Sequence, residues 1–339
     1  MQFDLPSPGL GTSGNRGETC RRAAREALET GYRHVDTAQM YGNEAAVGVA
    51  IRESSVDREN VVVATKIHPR NLAYADAKRT ARESLDRLGL KAVNLLYVHW
   101  PINAYDPPAT LRAMDELRDE GVTRHVAVSN FTPSLLDEAR ELLESPIAAN
   151  QVECHPLLQR EELRAYARAH EHSLVAYAPL GGAKLTHPTL ESIAGKHGVP
   201  VPLVCLAWTL SLDGVVPIPK ATGEHVRENW AARELELEEA DHEYVLLDRE
   251  AYRHHDRRGQ EKRHDRDPQQ REHDDPDARR EVAAQSSHWF VSGGNHLAAG
   301  ILTVAKVHVE KYFMDGSETC GAAPEGFEGG VFVAPSQKL

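Results

Sequence analysis

The sequence predicts an α/β protein, a (β/α)8 TIM barrel, on three observations. Short β-branched runs alternate with amphipathic stretches from residue 9 to about 235. Counted from the short "GLGTS" near the start, the runs number eight. Glycines stand where each of several amphipathic stretches would end as a helix. Such alternation implies a parallel sheet with its helices outside, and a count of eight favours a closed barrel over an open doubly wound sheet.

The strand candidates after "GLGTS" are "RHVDTA", "VVVATKI", "VNLLYVHW", "RHVAVSN", "AANQVECH", "SLVAYAPL" and "GVVPIPK". Between them lie helical patterns such as "ETCRRAAREALETG", "AYADAKRTARESLDRLG", "PATLRAMDELRDEG" and "TPSLLDEARELLES". In the last, Leu135, Leu136, Ala139, Leu142 and Leu143 form an apolar stripe at helical spacing. Thr132 is its expected N-cap and Pro133 its first helical residue. Gly31, Gly89 and Gly121 are expected helix stops. The barrel is expected over residues 1–249, followed by a separate tail over 250–339.

Composition narrows the function. With 41% hydrophobic and 27% charged residues the chain is expected to be globular. Net charge is −12, and only 10 of the 39 basic residues are Lys, with no basic stripe to meet a nucleic acid. Cys20, Cys154, Cys205 and Cys320 form no CxxC pair, so reduced thiols are expected rather than a disulfide framework or zinc site. The start "MQFDLPSPGLG" lacks the basic and apolar regions of a signal peptide. No apolar run approaches the ~20 residues that span a bilayer. The expectation is a cytoplasmic protein with no membrane partner.

The tail differs in texture. Residues 250–281 hold 19 charged residues of 32, ten acids against nine bases, and three apolar ones. They cannot bury a core, and disorder is expected. Their Arg, His, Asp and Pro bias is what a GC-rich gene gives when read out of frame, so a frameshifted terminus stands beside a genuine extension. Histidines such as His254, His255, His264 and His273 are expected to be solvated rather than metal-binding.

In a parallel barrel the chemistry gathers at the C-terminal ends of the strands. That singles out Asp36, Lys66, His99, Asn130, Gln151, Tyr177 and Lys220. Each has an ordinary reading alone: Asp36 as a cap, Tyr41 as a turn aromatic, His99 as a structural histidine. Together, an acid, a phenol, an ammonium and an imidazole at one barrel mouth make a coherent device. Lys66 would lower the pKa of Tyr41, Asp36 would hold Lys66 charged, and a neutral His99 would orient a substrate oxygen. Such a site polarises a carbonyl and gives it a proton as hydride arrives from a cofactor.

In order and spacing, "GYRHVDTAQMYGNE", "VVVATK", "LLYVHWP", "VSNF", "NQVECHP", "YAPLG" and "VPIPKAT…VREN" resemble the aldo-keto reductase family, in the style of short prokaryotic 2,5-diketo-D-gluconate reductases. The resemblance covers roughly residues 3 to 240. It implies a catalytic tetrad of Asp36, Tyr41, Lys66 and His99, with Tyr41 as general acid. It implies that Ser129, Asn130 and Gln151 hold a nicotinamide carboxamide and that Tyr177 stacks under the ring. Gly11 and Thr12 match a first cofactor-contacting loop, and Leu180 and Gly181 the backbone around a pyrophosphate. Lys220, Thr222, Glu228 and Asn229 match the grip on the adenosine phosphate and adenine. The implied cofactor is NADPH, with NADH as the alternative, and no metal is used. The substrates would be small aldehydes, ketones or keto sugars, and the protein a monomer or weak oligomer.

The sequence departs from that pattern in places. The last motif is shortened, and His225 stands where an Arg often grips the 2′-phosphate. Ser13 replaces a bulky aromatic of the pocket, while Trp100 is kept at its mouth. Two rival readings remain: a nucleotide-binding sensor or regulatory barrel with little turnover, and a lyase using Lys66 as a Schiff base.

Overall fold

The computed structural model of the chain describes residues 3–181 and 186–247. Its strands are β1 (Leu10–Gly11), β2 (His34–Asp36), β3 (Val62–Ile67), β4 (Val93–Val98), β5 (Thr123–Ser129), β6 (Ile147–Glu153), β7 (Ser173–Tyr177) and β8 (Val215–Pro217). They lie side by side in chain order, and every pairing is parallel. Backbone bonds from Gly9 N to Pro217 O (2.9 Å) and Gly11 N to Pro219 O (3.1 Å), with a bridge between Gly11 and Lys220, bring the first strand to the last. The sheet is a (β/α)8 barrel, as the alternation predicts.

Helices α1 (Gly17–Thr30), α2 (Glu44–Glu53), α3 (Tyr74–Leu88), α4 (Pro107–Asp119), α5 (Pro133–Leu142) and α6 (Glu161–Ala169) each follow the strand of the same number. Between β7 and β8 lie α7 (Pro188–His197) and α8 (Val201–Leu210), and after β8 come α9 (His225–Ala231) and α10 (Glu239–Leu247). Among the described residues no single helix is long and apolar enough to cross a membrane.

The two-residue period of a strand decides where the chemistry goes. Ala64, Leu95, Tyr97, Ala127, Ala149, Val175 and Val216 share one buried cluster, the barrel interior. Their neighbours Val63, Ile67, Leu96, Val98, Val126 and Val128 belong to another, packed beneath the first five helices. Two residues beyond the inward apolar position the interior set turns polar on five strands. Ala64 gives way to Lys66, Tyr97 to His99, Ala127 to Ser129, Ala149 to Gln151 and Val175 to Tyr177. The apolar plug ends and the site begins at one level of the barrel.

The helices follow the sequence with one correction. Thr132 caps α5, its side chain accepting from Leu135 N, with Pro133 next. Gly31, Gly89 and Gly121 follow α1, α3 and α4 with positive φ. On α5, Leu136 and Ala139 are buried, but Leu142 is 39% exposed. The helix ends at that residue, so Leu142 turns to solvent while Leu143, already extended, takes the core position. Gly48 lets α2 approach the end of α3: a Cβ there would lie 2.0 Å from the Leu88 carbonyl oxygen. Cys20, Cys154 and Cys205 are free and buried, which pushes their thiols up and leaves them poor nucleophiles. Cys320, the charged run from residue 250 and its histidines lie outside the described residues.

His34 faces the barrel interior two residues below Asp36, in room left by Gly9, whose Cβ would come within 2.6 Å of the imidazole Nδ1. Burial, with Lys66 adding, lowers its pKa to about 4. Above the unfolded value near 6.5 the ring is neutral in both states and pH is without effect. Between that value and about 4 the unfolded chain binds a proton that the folded chain refuses, so stability falls with pH, by about 3 kcal/mol over the whole window. His172, also lowered to about 4, acts in the same window. Urea denaturation at a series of pH values is expected to show this loss, and His34→Asn to remove part of the slope. An unchanged slope in that variant refutes the assignment.

Candidate active site

At the mouth of the barrel, Lys66 is fully buried and donates to three oxygens. They are Asp36 Oδ1, the Thr37 carbonyl at 3.0 Å and the Tyr41 hydroxyl at 3.3 Å. The second carboxylate oxygen of Asp36 accepts from Gln151 Nε2 at 2.8 Å. Strands β2 and β6 are four apart in an eight-stranded ring, so this bond crosses the barrel. Asp36 is therefore no helix cap; its carboxylate is divided between an ammonium and an amide. A buried charge is tolerated when it is paired and its remaining positions are hydrogen-bonded, and the Asp36–Lys66 pair meets both conditions.

Tyr41 closes a 3-10 turn, Gln39–Tyr41, just beyond β2. Gln39 pins the turn: its amide donates to Thr80 O (3.0 Å) and Ser84 Oγ (3.1 Å) on α3 and accepts from His68 N (2.9 Å) and Asn71 Nδ2 (3.0 Å). The Tyr41 ring meets that of His99 edge-on, centroids 5.7 Å apart. His99 is buried, and its Nδ1 has no hydrogen-bond partner. Trp100 beside it is 37% exposed, at the rim of the mouth.

The electrostatics differ from the sequence expectation in one respect. Burial works against the charge of Lys66, but Asp36 and then Tyr41 outweigh it and hold the ammonium above its ordinary range. Burial pushes His99 well below the usual imidazole range, with Lys66 and His68 adding, so the ring is neutral. The expected net lowering of Tyr41 is not found. Burial raises the phenol more than Lys66 lowers it, so Tyr41 keeps its proton at neutral pH. Desolvation depends on the closed barrel and has no signature in local sequence.

Two polar arcs fasten the rim. On one side Asn130, in the left-handed region at φ 64° that Asn tolerates, donates to the His99 carbonyl (3.2 Å) and Ser129 Oγ (3.0 Å). Its Oδ1 accepts from the Tyr177 hydroxyl at 3.2 Å, and Ser129 donates to the Gln151 carbonyl at 2.9 Å. The structure thus brings Ser129, Asn130, Gln151 and Tyr177 together with His99 across the ends of β4 to β7. On the other side Thr12 donates to the Asp36 carbonyl at 2.9 Å, and Gly11 pairs with Asp36 across the strands. Asn43 accepts from Thr37 and donates to the Thr12 and Asn15 carbonyls, and Asn15 donates to the Ala221 carbonyl. Asn43 and Gln39 escaped the sequence reading. The only signal was a polar residue beside Tyr41, which a turn explains as well.

The remaining predicted residues lie around this rim. Lys220 is exposed beside Gly11, and Thr222 is partly buried in the loop beyond it. On α9 the buried Asn229 lies next to the exposed Glu228, which is paired with His225 Nδ1 at 2.5 Å. Leu180 packs toward the core formed by α7 and α8. Gly181, at φ 69°, passes over the His155 ring, whose nearest atom would be 3.4 Å from a Cβ there. Among the described residues no group of three or more His, Cys, Asp or Glu side chains could hold a metal ion.

A model of the Aldo/keto reductase family matches residues 8–246. An aldo-keto reductase of Mycobacterium marinum is 38% identical over 240 residues, 69% of this chain and 84% of that protein. The crystal structure of an aldo/keto reductase from Brucella melitensis matches with a TM-score of 0.67 at 35% identity, over 71% of this chain and 92% of that one. A crystal structure provisionally described as a 2,5-diketo-D-gluconic acid reductase B matches with a TM-score of 0.67 at 35% identity, over 73% of this chain and 87% of the other.

The ion pair separates stability from chemistry. Lys66→Met strands a buried carboxylate and is expected to cost about 3–5 kcal/mol in chemical denaturation. Adding Asp36→Asn is expected to recover most of that loss. A double variant no more stable than Lys66→Met alone rules this account out.

Proposed function

This chain belongs to the aldo/keto reductase family, and on that premise we propose that it is an NADPH-dependent reductase of small aldehydes, ketones and keto sugars with Tyr41 as general acid. The observation that carries this reading is the Lys66 ammonium, 3.3 Å from the Tyr41 hydroxyl and held there by Asp36.

The residues present fit a nicotinamide cofactor. Gln151 spends its amide N–H on Asp36, which leaves Oε1 to accept from a carboxamide, and Ser129 and Asn130 stand beside it. The Tyr177 ring is partly exposed at the mouth, with its hydroxyl tied back to Asn130. In this reading Gly11, Thr12, Leu180 and Gly181 would flank the cofactor, and Lys220, Thr222, Glu228 and Asn229 would hold its adenosine end. The exposed Lys220 has no ion pair among the described residues and suits a 2′-phosphate. His225 lies near it on α9, where its ring is paired with Glu228, which raises its pKa. NADH is the lesser partner in this reading.

Bound, such a cofactor supplies the hydride to the carbonyl carbon. Tyr41 gives its proton to the carbonyl oxygen as charge builds there, and the phenolate left behind is stabilised by Lys66. The neutral His99 orients the same oxygen. Lys66 itself is no nucleophile: it is held charged and paired, which argues against Schiff-base chemistry. Ser13 and Trp100, both exposed, leave a mouth open enough for a hydroxyl-rich substrate. The name borne by one of the structural neighbours, a keto-sugar acid reductase, supports the same class. The proposed setting is the cytoplasm, and the proposed state a monomer or weak oligomer.

Tyr41→Phe is expected to lower carbonyl reduction by roughly 10²–10⁴-fold, followed by nicotinamide absorbance, with NADPH binding retained in fluorescence quenching. The wild-type rate is expected to stay flat through neutral pH and to fall only on the alkaline side of the ordinary phenol range, because burial holds the Tyr41 phenol above it. Near wild-type turnover in Tyr41→Phe refutes the mechanism. NADPH binding without turnover by the wild-type chain, across a wide carbonyl panel, indicates a sensor instead.

Lys220→Met is expected to raise KM for NADPH roughly 10–100-fold and leave that for NADH nearly unchanged. Equal effects on both cofactors refute the phosphate role of Lys220.

A further inference from the structure

The stretch that carries Asp36 and Tyr41 ends in a carboxylate that the mechanism does not use. Glu44, the first residue of α2, has a side chain only 2% exposed. Its Oε1 accepts from the Thr65 hydroxyl at 2.6 Å and its Oε2 from Arg87 Nε at 2.7 Å. Thr65 stands on β3 immediately before Lys66, and its neighbours on the same side of that strand, Val63 and Ile67, are apolar and packed under the helices. Glu44 therefore places a charge between strand and helix, where it is costly unless paired.

Arg87 supplies the pairing from α3, with its own side chain 42% exposed. A pair so placed adds little stability that well-packed apolar residues would not. What it does hold is position. Arg87 Nη2 also donates to Ser84 Oγ at 3.0 Å, and the same oxygen accepts from Gln39 Nε2 at 3.1 Å. The pair thus reaches both halves of the proton-delivery site. On one side it holds β3 at the residue beside Lys66. On the other it holds the turn that presents Tyr41, through Gln39 before that residue and Glu44 after it. The 3.3 Å contact between Lys66 Nζ and the Tyr41 hydroxyl is set across this brace.

We propose that Glu44 and Arg87 are positioning residues that fix the Tyr41 hydroxyl against the Lys66 ammonium. The proposal rests on the reading of Tyr41 as general acid. The two residues act from the helix side of β3, through the turn and the strand. A displacement of about 1 Å at a reacting group can cost on the order of a hundredfold in rate. Loosening the brace therefore shows in kcat rather than in KM.

The test compares Arg87→Met, Arg87→Lys and Thr65→Val in the full chain, with folding followed by circular dichroism and chemical denaturation. Arg87→Met removes both contacts of the guanidinium, while Thr65→Val keeps the ion pair and releases only the strand. Arg87→Met is expected to lower kcat for carbonyl reduction roughly 10–100-fold, and Thr65→Val roughly tenfold, with KM for carbonyl and NADPH nearly unchanged. Arg87→Lys is expected to restore most of the rate. The Tyr41 Cζ resonance, assigned by its loss in Tyr41→Phe, is expected to shift in Arg87→Met and Thr65→Val and to return in Arg87→Lys. A lower denaturation midpoint with kcat unchanged makes the pair purely structural and overturns the proposal. So does a loss that falls on KM, or one that Arg87→Lys does not restore. If Arg87→Met does not fold, Thr65→Val decides by the same criteria. A wild-type chain that reduces no carbonyl refutes the reading of Tyr41 alone. The Cζ resonance then decides the brace, and a resonance unmoved in Arg87→Met overturns it.

Discussion

The site depends on keeping one ammonium charged inside the barrel. Lys66 has no access to water, and burial alone would drive its proton off. Asp36 prevents that, and Gln151, reaching from the opposite strand, occupies the carboxylate oxygen that Lys66 leaves free. An ion pair of this kind is weak evidence for stability, since two well-packed apolar residues often do as well. Its value is positional: a fixed positive charge 3.3 Å from a phenol that keeps its proton at neutral pH.

The rest of the rim serves that geometry. Gln39 fixes the turn that presents Tyr41, and Asn43 ties the loops after β1 and β2. Asn130 ties the ends of β4, β5 and β7 on the other side. Apart from the Tyr177 phenol, both arcs are built of amide and hydroxyl side chains and backbone carbonyls, which do not titrate near neutral pH. Changes of pH therefore act on the tetrad and on the buried histidines far more than on the frame.

Much of this was legible in the sequence. Eight β-branched runs specify the barrel, and the strand-end rule singles out Asp36, Lys66 and His99 from the sequence alone. The inward alternation that turns Ala64 to Lys66 and Tyr97 to His99 is also written in the chain. What was not legible depends on closure. The Gln151–Asp36 bond joins residues 115 apart and exists only when β2 faces β6. The raised pKa of Tyr41 is a sum of burial and charge that no local window contains. Leu142 fitted the stripe on α5 by spacing, yet it is the residue where the helix stops.

The seam between the first strand and the last is thin for a chemical reason. Pro217 and Pro219 have no N–H, so β1 is held there through the carbonyls they present to Gly9 and Gly11. On the ribosome β1 emerges some 200 residues before those carbonyls exist, and until then the barrel is a curved sheet with an unmatched edge. Lys220 arrives immediately behind them. The nascent chain thus gains its ring and its proposed hold on the cofactor phosphate within a few residues of synthesis, and no shorter intermediate possesses either one.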